Sequence, residues 1–282
     1  VPSIRRIVAP PSVRRQPLGN MRAITTSMEP AMNTTRRLFA VGIVAAAVAG
    51  SAQAWSWGGD GERVTGNGDI ATEAREPGAF DGVSLAGGFS VVIRQGKGNK
   101  VEVKADRNLL PYIETRVVEG GKGRTLEIGP KKGYNLSTSN NPSFTIEMPS
   151  LRAVSVAGSG KVQVEAMKTG GVDAAIAGSG DIRFAGLDAE RLGMKVSGSG
   201  DIVAAGRAGS ALVSIAGSGD VKAAELAAEE VKVSIAGSGD AQVQATKKLH
   251  VSIAGSGDVK YVGSPEISSS IAGSGKVRRL GQ

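Results

Sequence analysis

The sequence predicts an all-β protein, a β-solenoid of the β-helix or β-roll kind with about 18–20 residues per repeat. Three observations predict it. A Gly-Ser-Gly tripeptide recurs at Gly158, Gly178, Gly198, Gly217, Gly237, Gly255 and Gly273, at intervals of 20, 20, 19, 20, 18 and 18 residues. Val and Ile flank each tripeptide in steps of two, the step of a β-strand. The period itself is that of a chain stacking one small unit on the next, because a single unit cannot bury its apolar side alone.

The chain begins with residues 1–31, which read as an upstream extension from a misplaced start. Residues 32–54 read as a signal peptide. Arg36 and Arg37 form its basic end, an apolar run follows over 38–49, and the small residues Ala52, Gln53 and Ala54 place cleavage after Ala54. The run is short for a membrane span, which needs about 20 residues. The predicted product is therefore exported, to the periplasm or cell surface, with no stable transmembrane segment. The arginine pair also resembles a twin-arginine export signal, and ordinary secretion remains open. Residues 55–76 are Gly-rich and polar, and are expected to be a flexible lead-in. The solenoid is assigned to 77–282, with an irregular first half (77–150) and regular repeats (151–282). Leu85 with Gly87 and Gly88 reads as an earlier form of the corner.

Within the regular part the columns are explicit. Val156, Ile176, Val196, Ile215, Ile235, Ile253 and Ile271 stand two positions before the corner. Val154, Ala174, Met194, Val213, Val233, Val251 and Ser269 stand four before it. Val162, Ile182, Ile202, Val221, Ala241, Val259 and Val277 follow it. Stacked laps turn each column into a continuous apolar ladder with backbone pairing between laps. The corner glycines, Gly158, Gly160, Gly178, Gly180, Gly198, Gly200, Gly217, Gly219, Gly237, Gly239, Gly255, Gly257, Gly273 and Gly275, supply positive φ or let backbones approach closely.

Asp181, Asp201, Asp220, Asp240 and Asp258 share one repeat position, with Lys161 and Lys276 at the same place in the first and last laps. Stacking brings these carboxylates about 5 Å apart. Three readings stay open: screening by water, capping of backbone N–H groups, or a cation ladder holding calcium. The two lysines are expected to mark boundary laps, with Arg278 and Arg279 blunting the C-terminal edge.

Composition excludes much. With no Cys there are no disulfides, thiolate metal sites or cysteine nucleophile. One His, His250, argues against a multi-histidine metal centre. The net charge of +8 sits mainly in the leader, since residues 55–282 carry 27 Lys or Arg against 25 Asp or Glu. With 4% aromatics, neither a phosphate-tracking surface nor a stacking platform for nucleic acid is implied. No cofactor is predicted, calcium being the one candidate, and no metal site is assigned.

The elements "FDGVSLAGGFSVVIRQG", "VEVKADRNLLPYIETRV", "LEIG", "FTIEMPSLRAVSVAGSG" and the later "SGSGDI", over about Phe80 to Lys276, together resemble the bacterial DUF2807 family, described as "putative auto-transporter adhesin, head GIN domain". The resemblance implies an exported β-solenoid of bacterial envelopes and supplies no catalytic residues. The chain is expected to end without a C-terminal membrane barrel, which needs at least eight strands.

The expected function is a non-enzymatic binding or structural module of the envelope, adhesin-like, with a glycan, peptide or envelope-surface ligand. Trp55, Trp57, Tyr112 and Tyr134 are candidate contact residues. The alternatives are a calcium-stiffened rod and a polysaccharide-acting β-helix enzyme using acids such as Asp220 and Asp240. Their identical neighbours argue against the unequal carboxylates that such chemistry needs. Oligomeric state is left open.

Overall fold

The computed structural model describes residues 61–121 and 123–280. The signal peptide, Ala54, Trp55 and Trp57 lie outside them. The regular part contains β10 (Ala153–Gly158), β11 (Lys161–Val164), β12 (Met167–Gly178), β13 (Asp181–Gly198), β14 (Asp201–Gly217), β15 (Val221–Gly237), β16 (Ala241–Gly255), β17 (Val259–Val262), β18 (Glu266–Gly273) and β19 (Val277–Arg279). All pair in parallel with the strand one lap away. The solenoid has three faces. Face A holds the stretch before each corner, face B the stretch after it, and face C the return, where 167–169, 187–189 and 206–208 stack.

The columns expected from the sequence are the core through the lap of β16, while in the last lap Ile271 is exposed and Val277 only half-buried. Val156, Ile176, Val196, Ile215, Ile235 and Ile253 are all buried, as are Val162, Ile182, Ile202, Val221, Ala241 and Val259. The corners stay in register from Gly158 through Gly273. The variable lap length is absorbed on the return side instead, where pairing slips between Phe184 and Leu187, between Val203 and Ala205, and between Ala223 and Ala227. The division is physical. Corner backbones touch and have no slack, whereas the return can bulge outward.

The first half uses β1 (Glu62–Thr65), β2 (Ile70–Arg75), β3 (Gly82–Ala86), β4 (Ser90–Gln95), β5 (Lys100–Asp106), a 3-10 turn (Leu110–Tyr112), β6 (Ile113–Gly120), β7 (Gly123–Pro130), β8 (Tyr134–Ser137) and β9 (Ser143–Met148). β3 and β4 form a lap around Gly87, whose φ of 96° matches the corner role. Leu85 pairs with Val156 and Ser90 with Lys161, so this lap lies directly beneath the first regular one. β7 and β9 form a further lap outside it, pairing in parallel with β3 and β4. Antiparallel strands then close the end: β6 on β7, and β5 on β9 with β2 outside it.

Two expectations change here. The lead-in is structured from Glu62 onward. β1 pairs with β8 and β2 with β5. Side chains hold it in place. The buried Asp106 carboxylate accepts from the Gly68 N–H at 2.7 Å and from the Thr138 hydroxyl. Arg75 donates to the Leu110 and Ile113 carbonyls at 2.9 and 2.7 Å. Lys161, in turn, is not at a boundary. Ser90 lies below it and Asp181 above, and its Nζ is 3.2 Å from Asp181 Oδ2.

Candidate binding surfaces

The two glycines of each corner do different work. The first has positive φ, from 112° at Gly158 to 137° at Gly255, a conformation that L-residues adopt only with strain. The second is small because the lap below is in the way. A Cβ on Gly180 would lie 2.6 Å from the Gly160 carbonyl oxygen. Between them, each Ser N–H donates to the first-glycine carbonyl of the lap below, from Ser179 to Gly158 through Ser274 to Gly255, at 2.9 Å throughout. The irregular corner carries Phe89 at the second-glycine position, where it is buried and packs near Phe144 with ring centroids 5.9 Å apart. The lap beneath it leaves that room.

The aspartates fall into two groups. In the early laps, the amides of Asp181 and Asp201 donate to the Gly160 and Gly180 carbonyls. Later, the corner tightens so that Gly219 and Gly239 N–H donate to the first-glycine carbonyls of the lap below. The amide at the aspartate position then needs another acceptor, and the carboxylate one lap below provides it. Asp220, Asp240, Asp258 and Lys276 N–H donate to Oδ1 of Asp201, Asp220, Asp240 and Asp258 at 3.2, 3.0, 2.8 and 2.8 Å. Each aspartate from Asp201 to Asp258 thus caps the lap above it, a relation that differs from a local Asx-turn, whereas Asp181 does not. Lys222 Nζ sits 2.8 Å from Asp201 Oδ2, and that hydrogen bond holds its ammonium pKa above the ordinary lysine value. Among the described residues, no group of three or more His, Asp or Glu is placed to hold a metal ion. Asp220 and Asp240 make the same contact with the amide of the lap above, and Asp220 Oδ2 also lies 3.9 Å from Lys222 Nζ.

Face C carries ion pairs from lap to lap: Asp188 with Arg207 at 2.7 Å, Glu229 with Lys247 at 2.6 Å and Glu230 with Lys248 at 3.2 Å. The Arg207 hydrogen bond lowers the Asp188 carboxyl below its usual pKa. A shallow depression of about 450 Å³ lies among them over Ala208, Gly209 and Ala227. Another, of about 470 Å³, lies on face B between Lys161, Asp181, Arg183 and Val203. Of the candidate aromatics, Tyr112 and Tyr134 are brought together, centroids 4.7 Å apart and tilted by 52°. They pack on each other beside the 3-10 turn and present no flat stacking platform.

The surface that the sequence reading missed is the outside of face A. Ser84, Ser155, Ala175, Lys195, Ser214, Ser234, Ser252 and Ser270 stack in one column. Ala86, Ala157, Ala177, Ser197, Ala216, Ala236, Ala254 and Ala272 stack in the next. Apart from Lys195, neither column has anything taller than serine. In a third column Leu212, 48% exposed, lies between Gly193 and Lys232. The signal was present in the recurring "SIAG", whose alternate residues point away from the core.

The chain is a three-faced parallel solenoid closed at one end by antiparallel strands, with small side chains over the outside of face A. The chain belongs to the family described as "putative auto-transporter adhesin, head GIN domain", whose pattern matches residues 79–265. It is an exported, adhesin-like or structural module of the envelope. It is similar to a solved structure from Bacteroides fragilis described as a "putative adhesin", with 23% identity, a TM-score of 0.68, and coverage of 77% of this chain and 100% of that one. A "putative lipid binding protein" from Parabacteroides distasonis shows 27% identity and a TM-score of 0.63, over 78% of this chain and 100% of that one. A "putative adhesin" from Parabacteroides merdae shows 24% and 0.63, over 78% and 99%. No curated protein sequence matches the chain significantly. No helix among the described residues is long and apolar enough to cross a membrane.

Proposed function

We propose that this protein holds an extended anionic glycan of the cell envelope against face A. The observation that carries the reading is the pair of Ser and Ala columns. They make a flat strip on which a polymer can lie across successive laps, meeting a hydroxyl that both donates and accepts at each serine. Lys195 and Lys232 flank Leu212 on this face, and the acids near them are paired, Asp173 with Arg191 at 2.6 Å and Glu230 with Lys248 at 3.2 Å. The uncovered charge is therefore positive. Each contact is weak, and the repeat multiplies it.

The test is co-sedimentation of the purified protein with an insoluble anionic envelope glycan, beside vesicles of anionic phospholipid. Retention by the glycan is expected, falling at least tenfold in Lys195→Glu/Lys232→Glu and in Ala236→Glu. Arg183→Glu on face B should leave it unchanged. Retention by vesicles alone would replace the glycan with a lipid surface, the ligand class named for the Parabacteroides distasonis structure. Equal loss in the face B variant would refute the assignment of face A.

A further inference from the structure

We infer that two copies of this chain join end to end through β18, antiparallel about a two-fold axis at Ser269. Among the described residues, β18 pairs only with β16, so its other edge presents unpaired N–H and C=O groups. Its inward positions continue the core columns. In the lap below, Leu249, Val251 and Ile253 are buried; in β18, Ile267 and Ile271 are 41% and 42% exposed. One more rung would cover them.

The sequence of β18 indicates which rung. Ile267-Ser268-Ser269-Ser270-Ile271 reads the same in both directions. An isologous antiparallel pair requires such self-complementarity. Centred on Ser269, it places Ile267 opposite Ile271 of the second copy, with Ser269 opposite itself, all on the core side. Charge agrees. Glu266 lies at the start of the strand and Lys276 just past its end, so an antiparallel partner brings opposite signs to both ends. The outer strand at the other end of the stack is guarded differently: β6 carries Glu114, Arg116 and Glu119, whereas β18 carries Glu266 as its one charge.

Sedimentation velocity on the purified chain tests this. A dimer whose population rises with concentration is expected, and Ile267→Lys/Ile271→Lys should remain monomeric and melt where the unsubstituted chain melts when dilute enough to be monomeric, because both side chains are partly exposed in the monomer. The chain contains no Cys, so one introduced thiol reports geometry cleanly. Directly opposed residues of an antiparallel pair have Cα atoms about 4.5–5.5 Å apart, within disulfide range. Ser269→Cys should give a covalent dimer on oxidation, and Ser238→Cys, at a mid-stack corner, should not. A monomer at the highest soluble concentration, or association that survives the double substitution without a Ser269→Cys crosslink, would overturn the proposal.

Discussion

The two halves of the solenoid reach the same cross-section by different means. In the regular half, each lap finds its partner 18–20 residues away, and identical corners hold the register. In the first half, partners are far apart: Ser90 pairs with Lys161, and Leu85 with Ile128 as well as Val156. There the chain lays down an inner lap, crosses outward on antiparallel strands and returns. Individual side chains hold it, notably Asp106, Arg75, and Arg152 with Asp81 at 2.9 Å. Repetition replaces particular bonds in one half, and particular bonds replace repetition in the other.

The largest effect should come from the shared core. Ile235→Lys buries an unpaired charge in a column continuous with the first half through Leu85 and Val156. It should cost more than about 4 kcal/mol in chemical denaturation. Retention of a cooperative transition at the original midpoint would break the claim that one core serves both halves.

The corner sharpens the contrast. Gly239→Ala places a methyl inside contact distance of the Gly219 carbonyl oxygen and should cost on the order of 1–3 kcal/mol. The matching residue of the irregular corner, Phe89, is itself core, so Phe89→Gly should also destabilise, by loss of burial. A neutral Gly239→Ala would show that laps do not stack tightly.

Acid should act first on the irregular half. The Thr138 hydrogen bond, followed by the Gly68 amide, holds the Asp106 carboxyl below its ordinary 3.8. The Arg152 hydrogen bond likewise holds Asp81 below 3.8. A carboxyl lowered on folding adds stability that is complete above its unfolded value and disappears as pH falls through the lowered one. Hydrogen exchange in β1 and β2 should therefore quicken below about pH 4, and Asp106→Asn should flatten that dependence. Uniform loosening of both halves would contradict it.

The smallest effect divides the aspartates. Asp220→Ala strips the acceptor from the Asp240 amide and should cost about 1–2 kcal/mol. Asp181→Ala removes only an exposed pair with Lys161 and should cost under about 1 kcal/mol.

The legible part of this molecule was its repetition. The Val and Ile columns, the corner period and the early corner at Gly87 follow from alternation and spacing. The crossings of β5 and β6 did not, because antiparallel closure depends on partners that no local pattern identifies. Nor did the lead-in at 61–75, whose polar composition hides anchoring by Asp106, 38 positions downstream of Gly68. The aspartate position was visible, but its role was not. Whether a carboxylate caps its own turn or the next lap depends on register, and the switch from Asp181 to Asp201 coincides with a tighter corner at Gly219 and Gly239. The outside of face A was illegible because Ser and Ala carry neither an apolar period nor a charge that marks a surface.

The central claim is that the recurring carboxylate is part of the stacking machinery, each one from Asp201 to Asp258 holding the amide of the lap above. Amide hydrogen exchange resolved by residue tests it most directly. Asp220→Ala should sharply accelerate exchange at the Asp240 amide, whereas Asp181→Ala should leave the Asp201 amide, bonded to the Gly180 carbonyl, as protected as before. Unchanged protection at Asp240, or equal loss at both amides, would contradict the account.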